Sequence, residues 1–155
     1  KYGYMVHDNI LDLNLLRSPS NPDPDADMGV HKFTYSLFPH KGDLINSDTM
    51  HESSCLNQEP LLFEGVRSST TIPVKLKGDG LDLTVLKKAE KEECLIVRVV
   101  ETHGRKSGGS LFFHGKIAEC NLIEWDNISD SEQVDGELKI QLSAFEIKTF
   151  KIRMQ

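Results

Sequence analysis

The sequence predicts an all-β protein made of antiparallel β-sandwich, and three features of the 155-residue chain support this fold class. Apolar and polar residues alternate in several short runs, which is the pattern of strands with one buried face. Polar turn segments rich in glycine and aspartate separate these runs at short intervals. The one helical candidate, residues 47–57, is short. Many short strands joined by polar turns are typical of an all-β sandwich.

Two strands are expected before residue 40. Leu11, Leu13 and Leu15 alternate with polar residues, and a second alternating run covers residues 31–38 (HKFTYSLF). Residues 19–27 between them contain three prolines and three aspartates. Proline fixes its backbone dihedral and donates no hydrogen bond, so this connection is predicted to be a stiff loop.

The second half of the chain carries further strand signals. Residues 81–85 and 138–142 alternate, whereas residues 94–101 (CLIVRVVE) form a more continuous apolar run, as in a central strand. Residues 110–125 predict a pair of strands on either side of Gly115.

The last segment, residues 145–154, changes the phase of its apolar positions between Ile147 and Phe150. A β-bulge inserts one residue into a strand and shifts the side chains that follow it. We therefore expect a bulge near Lys148 and Thr149.

A polar stretch, residues 64–73 (EGVRSSTTIP), contains Gly65 and Pro73 and is typical of a linker. We therefore expect two domains, residues 1–67 and residues 68–155.

Composition indicates an ordinary globular protein, with 38% hydrophobic and 27% charged residues. The net charge of −6, without a basic stripe, argues against nucleic-acid binding. No apolar run approaches the roughly 20 residues that span a bilayer, so we expect no membrane partner. Three cysteines without a CxxC motif argue against a disulfide framework. Free thiols fit a reducing compartment, and we expect the protein to be cytoplasmic.

Asp23, Asp25 and Asp27 are the first candidate polar site. Like charges this close are costly unless a cation or a hydroxyl group faces them. Arg17 stands at a strand end, and its guanidinium can bind carboxylates or hydroxyls in a bidentate manner. We favour the interpretation that Arg17 pairs with the aspartates and braces the loop. No catalytic residue is assigned, because three like charges side by side on one loop would compete and no apolar pocket is evident that would raise the pKa of one of them.

Two further candidates are weaker. His51 and Cys55 are four residues apart on the candidate helix and could face one ion. A zinc site needs three or four ligands, so two surface side chains are the favoured interpretation and no metal site is predicted. Trp125 follows an apolar run at a predicted strand end. An exposed ring there could stack on a sugar, although core packing is favoured.

Four spaced segments carry a resemblance to a known family. KYGY, LLRSP, PDPDADMGVHKFTYSLFPHKG and LKKAEKEECLIVRVVETHG occur in this order. Together they resemble the C-terminal β region of glycoside hydrolase family 38, the α-mannosidases, and above all its cytosolic and bacterial branch. The resemblance extends from Lys1 to about His103, and more loosely to Met154.

The resemblance implies both a fold and a function. Residues 1–67 would be the last strands of a large β-sandwich domain, and residues 68–155 a small immunoglobulin-like sandwich. The parent enzyme would hydrolyse terminal α-mannosyl residues with retention of configuration. Its zinc ion and nucleophilic aspartate would lie in an N-terminal catalytic domain that this chain does not contain.

The chain itself would then be an inactive fragment of a longer protein, an expectation that its start inside a strand-like segment also favours. It would support the catalytic domain, which is its expected partner, and shape the approach of a mannose-containing oligosaccharide. Arg17, Asp23, Asp25 and Asp27 would lie near that sugar. The first domain would expose apolar surface or recruit a neighbour, and a homo-oligomer is also allowed.

Two alternatives from other classes remain. The chain could be a stand-alone carbohydrate-binding module that grips a glycan through Trp125 and the aspartate loop. It could also be an immunoglobulin-like interaction domain without a role in sugar recognition.

Overall fold

The structure, a computed structural model, describes residues 3–65, 72–129 and 133–154 and confirms an all-β, antiparallel β-sandwich fold. The chain separates into two compact units, Lys1–Glu59 (unit 1) and Pro60–Gln155 (unit 2). The predicted domain boundary at residue 67/68 lies outside the described residues and stays a prediction. Within the described ranges, no helix has the length and apolar character needed to cross a membrane.

Unit 1 contains little regular structure. Strands β1 (Tyr4–His7) and β2 (Ile10–Leu13) form a hairpin, and helix α1 covers Thr49–Asn57, as predicted. Residues 31–38, predicted as a strand, pair with no other strand in the described part of the chain. Their alternation marks a face suited to burial, but a strand also needs a partner for its backbone groups. None of the described residues up to Glu59 is buried.

Unit 2 is built around one six-stranded antiparallel sheet. Its strand order is β3-β6-β8-β5-β4, and β7 also pairs with β6. In chain order, the six strands are β3 (Val74–Gly78), β4 (Leu81–Lys88), β5 (Leu95–Glu101), β6 (Ser107–Cys120), β7 (Gln133–Leu142) and β8 (Ile147–Arg153).

The long strand β6 joins two halves of this sheet. Its first part pairs with β3 and β7, and its second part pairs with β8 while it keeps its pairing with β7 at Lys116 and Ile117. The change occurs around Gly115, whose φ of +105° favours glycine. A Cβ atom on Gly115 would lie 2.2 Å from the carbonyl oxygen of Arg153, so a side chain does not fit there. The predicted pair of strands around Gly115 is therefore one continuous strand that changes partners.

The core of unit 2 lies between the two halves of the sheet. Every strand except β4 contributes fully buried side chains to it, and Leu81 and Leu83 of β4 pack against it. The buried members are Val74, Val97, Val99, Leu111, Phe113, Ile117, Ile140, Leu142, Phe150 and Ile152. Because residues from both halves meet in one cluster, the sheet folds over itself as a sandwich.

The predicted bulge in the last strand is wrong. β8 pairs with β5 in continuous register from Leu95↔Ile152 to Val100↔Ile147. Residues 149–152 are all buried, because the core covers one face of β8 and residues 121–128 cover the other. The apparent change of phase reflects this two-sided burial and not an inserted residue.

Candidate functional site

The aspartate loop of unit 1 is a succession of tight turns. The N–H of Ala26 donates to the carbonyl of Asp23 at 3.2 Å, and the N–H of Met28 donates to that of Asp25 at 3.1 Å. The Asp23 Oδ1 atom accepts the N–H of Asp25 at 3.0 Å. Asp27 has a φ of +59°, a left-handed conformation that aspartate tolerates. The three carboxylates lie on an exposed loop held by its own backbone.

Arg17 is exposed and forms no ion pair or hydrogen bond with the three aspartates in the part of the chain that the structure describes. The interpretation that Arg17 braces the loop is therefore wrong for this geometry. The turns hold the loop without the guanidinium, which leaves Arg17 accessible to another partner.

Unit 2 carries a second buried layer on the outer face of its sheet. The buried residues of this layer, all outside the core cluster, are Cys94, Ile96, Ala118, Cys120, Thr149 and Lys151. They alternate with core residues along β5, β6 and β8, so they point to the opposite face. Residues 121–128, here called the cover loop, follow β6 and lie over this face.

Two cations from the outer face hold the cover loop. The Arg98 guanidinium donates to the carbonyl of Leu122 and to the carboxylate of Glu124, each at 3.0 Å. The ammonium of Lys151, which is 3% exposed, donates to the carbonyl of Trp125 at 3.2 Å. Burying a cation is costly unless it is paired and hydrogen-bonded, and both side chains meet that condition.

Glu92 completes this arrangement. One of its carboxylate oxygens lies 2.6 Å from Lys151 Nζ, and the other lies 3.1 Å from the guanidinium of Arg153. These two hydrogen bonds, first that from Lys151, lower the pKa of Glu92 below its usual value. The ionised carboxylate balances the buried ammonium that supports the loop.

Hydrogen bonds within the cover loop fix its shape. The N–H of Asn121 donates to the carbonyl of Asp126 at 2.9 Å, and the N–H of Ile128 donates to that of Glu119 at 2.8 Å. The Asn121 Oδ1 atom accepts the N–H of Trp125 at 3.0 Å. These contacts, together with those from Arg98 and Lys151, hold the cover loop in one conformation.

Trp125 lies on the surface of this loop and is 60% exposed, so the expectation of core packing is wrong. The ammonium of Lys91 lies 3.7 Å from the centre of the indole ring, which is a cation–π contact. A cavity of about 330 Å³ lies beside the ring, and its polar lining includes Glu90 and Glu124.

A buried carboxylate, Glu101, holds the end of β5, and no local pattern in the sequence pointed to it. The residue is 1% exposed and accepts hydrogen bonds from the N–H groups of His103, Gly104 and Phe145 and from the hydroxyl of Ser107, at 2.8–3.0 Å. Burial raises its pKa, but these four donors outweigh burial and lower the pKa to about 2. A carboxylate this acidic stays ionised and is suited to holding loops together, not to donating a proton.

The remaining candidates for metal binding or thiol chemistry are the pair on α1 and the two buried cysteines. The His51 Nε2 and Cys55 Sγ atoms lie 3.7 Å apart on α1, and no cluster of three potential ligands accompanies them among the described residues. Burial raises the pKa of the Cys94 and Cys120 thiols, which disfavours the reactive thiolate.

Comparison with protein families gives a match over most of the strands of unit 2. Residues 80–150 match the model described as "Glycosyl hydrolases family 38 C-terminal beta sandwich domain". This range runs from the turn before β4 into β8 and includes Glu101, the cover loop and most of the core.

Whole-chain comparison gives relatives that bear α-mannosidase names. The chain is 34% identical to "Alpha-mannosidase G" of Dictyostelium discoideum over 97% of its own length. It is 34% identical to "Alpha-mannosidase 2C1" of Mus musculus over its whole length, and 29% identical to "Alpha-mannosidase" of Saccharomyces cerevisiae over 98%. It spans 15–16% of the length of these relatives.

Proposed function

We propose that this chain is the C-terminal β region of a glycosyl hydrolase of family 38 and forms the non-catalytic end of a retaining α-mannosidase. The parent protein would remove terminal α-mannosyl residues from oligosaccharides during their catabolism. The observation that carries the proposal is the match of nearly the whole chain to α-mannosidases about six times its length.

The non-catalytic role is supported by the state of the carboxylates. Glu101 is ionised and fully engaged in hydrogen bonds, and the carboxylates of the aspartate loop lie exposed on turns. Neither environment offers two carboxyl groups that face each other across a substrate site, as glycoside hydrolysis requires. We propose that the nucleophile, the proton donor and a zinc ion belong to the catalytic domain of the same polypeptide.

The exposed apolar surface of unit 1 supports the proposal that unit 1 belongs to a larger sheet. It exposes apolar side chains throughout and contains a groove of about 680 Å³ lined by β1, residues 32–38 and α1. Residues 31–38 alternate like a strand but lack a strand partner among the described residues. We propose that strands of the parent protein's large β domain pair with this segment and fill the groove.

The aspartate loop is the proposed contact with substrate. Arg17, Asp23, Asp25 and Asp27 are accessible, and guanidinium and carboxylate groups both bind sugar hydroxyls. In the parent protein, Arg17→Ala and Asp25→Asn should raise KM for a mannoside several-fold with a smaller change in kcat, because the loop would act through binding. A Lys116→Ala variant in unit 2 serves as a control and should leave KM unchanged.

A cytoplasmic location is the final part of the proposal. All three cysteines are free, with Cys55 exposed, which fits a reducing compartment. Localisation of the tagged full-length protein by fluorescence microscopy tests this; a secretory distribution would contradict it.

The main test compares the protein encoded by the complete reading frame with the 155-residue chain. The full-length protein should release p-nitrophenol from p-nitrophenyl α-mannoside, lose this activity on dialysis against a chelator and regain it with zinc. The 155-residue chain should be inactive. Activity of the purified short chain, or inactivity of the zinc-loaded full-length protein on all α-mannosides tried, would refute the proposal.

A further inference from the structure

The cover loop presents a concentrated apolar surface. Leu122, Ile123, Trp125 and Ile128 lie within seven residues and are each between 55% and 65% exposed. We call these four side chains the loop patch. Single exposed apolar residues are ordinary, whereas a contiguous group on a rigid support marks an interaction site.

The cover loop that carries the patch is rigid, because side chains of the underlying sheet hydrogen-bond to its backbone. Arg98 and Lys151 hold the carbonyls of Leu122 and Trp125, two residues of the patch itself. A surface fixed before binding loses less conformational entropy when a partner is bound. The second buried layer thus builds a preformed platform on the outside of an already complete core.

We infer that the loop patch is the surface by which unit 2 docks onto the part of the parent polypeptide that lies outside this chain. The inference deepens the proposed function and rests on it. About 85% of the length of these relatives lies outside the part that this chain spans, so a large intramolecular surface exists on which unit 2 could dock. Trp125 would be the anchor, since tryptophan is enriched among residues that dominate binding energy.

The composition of the patch favours a protein partner over a sugar. Three of its four side chains are aliphatic, and aliphatic groups fill the dry centre of protein interfaces. The charged residues Lys91 and Glu90 lie beside Trp125, where they would form the polar rim of such an interface. Lys91 also occupies a face of the indole on which a sugar ring would stack.

Hydroxyl-radical footprinting read by mass spectrometry tests this inference on the two proteins without mutation. Oxidation of the patch should be at least about tenfold slower in the full-length protein than in the 155-residue chain. Phe145, which is 70% exposed in the same unit and outside the patch, provides the internal reference. Equal oxidation of Trp125 in both proteins would overturn the inference, as would protection already present in the 155-residue chain.

A pair of matched variants tests whether the patch holds the contact. Ile123→Glu in the full-length protein should restore oxidation of Trp125 to within twofold of its rate in the 155-residue chain. Leu86→Glu, at an exposed site on β4, should leave Trp125 protected. Both variants of the 155-residue chain should keep the wild-type melting temperature, because both side chains are exposed. Protection that survives Ile123→Glu would contradict docking through the patch.

Two readouts separate this inference from the proposed function. Mannosidase activity of the same full-length preparation tests the proposed function, and footprinting tests the patch. Activity without protection would overturn docking and keep the enzyme assignment. Protection of Trp125 in the 155-residue chain by α-mannobiose would identify a sugar site instead and overturn docking.

Discussion

Unit 1 and unit 2 use the same alternating pattern of apolar residues, but only unit 2 buries them. In unit 2, Phe150 lies between two halves of one sheet and is 1% exposed. In unit 1, Phe33 belongs to a regularly alternating run and is 40% exposed. The difference teaches that an alternating pattern indicates which face of a strand is apolar. That face becomes buried only where a second layer of structure packs against it.

Separating the units gives the largest expected effect. Residues 60–155 alone should unfold in one cooperative thermal transition, because their core is complete. Residues 1–59 alone should show no cooperative transition, since burial of apolar surface drives folding and none of their described residues is buried. Circular dichroism melting checks both. A sharp transition in residues 1–59 would contradict the comparison.

A matched pair of phenylalanine substitutions sharpens the comparison between the two units. Phe150→Ala should lower the free energy of unfolding by about 3–5 kcal/mol, through lost burial and a residual cavity. Phe33→Ala should change it by less than about 0.5 kcal/mol, as at other surface sites. Urea unfolding of the 155-residue chain measures both values. Similar losses for the two variants would show that unit 1 has a core of its own.

Acid titration probes the buried carboxylate of unit 2. The folded pKa of Glu101 is about 2 and lies below the usual 4.5, so the unfolded chain binds more protons between these values. Glu101 therefore stabilises the fold fully above about pH 4.5, and this contribution is lost as pH falls toward 2. Glu101→Gln should lower the melting temperature at pH 7 by roughly 10 °C. It should also flatten the dependence of melting temperature on pH between 4.5 and 2.

The control variant is Asp25→Asn in unit 1, which should preserve the melting temperature at pH 7 because Asp25 is exposed. Some slope should survive in Glu101→Gln, because Glu92 also has a lowered pKa. An acid dependence identical to wild type in Glu101→Gln would mean that other groups govern the response.

The smallest effect is expected at Arg17. Arg17→Ala should change the free energy of unfolding of the 155-residue chain by less than about 0.5 kcal/mol, because the aspartate loop is held by its own turns. Chemical denaturation measures this. A loss above 1 kcal/mol would restore the interpretation that Arg17 braces the loop.

The core of unit 2 was predictable from local pattern. Leu138, Ile140 and Leu142 face inward as their alternation indicates, and the continuous run of residues 94–101 forms the central strand β5. Helix α1 is also short and lies within residues 47–57, the segment that the sequence predicted to be helical. These features depend on neighbours close in sequence, so a periodicity argument reaches them.

The cover loop was not predictable in the same way. Arg98 and Lys151 interrupt apolar runs, which was the available signal that the outer faces of β5 and β8 are covered. Their partners lie 24–59 residues away, at Leu122, Trp125 and Glu92. Local pattern cannot identify such partners, and the same limit explains why residues 31–38 looked like a paired strand.

The carboxylate of Glu101 serves unit 2 as a reversible cross-link. It ties the turn at His103 and Gly104 to Ser107 of β6 and to Phe145 before β8, a link across 44 residues. A disulfide would join distant segments in a similar way, but it opens to reductants. The hydrogen bonds of Glu101 do not respond to reductants, but they weaken when its carboxylate is protonated. Acidity, and not redox potential, is therefore the condition that would loosen this end of the sandwich.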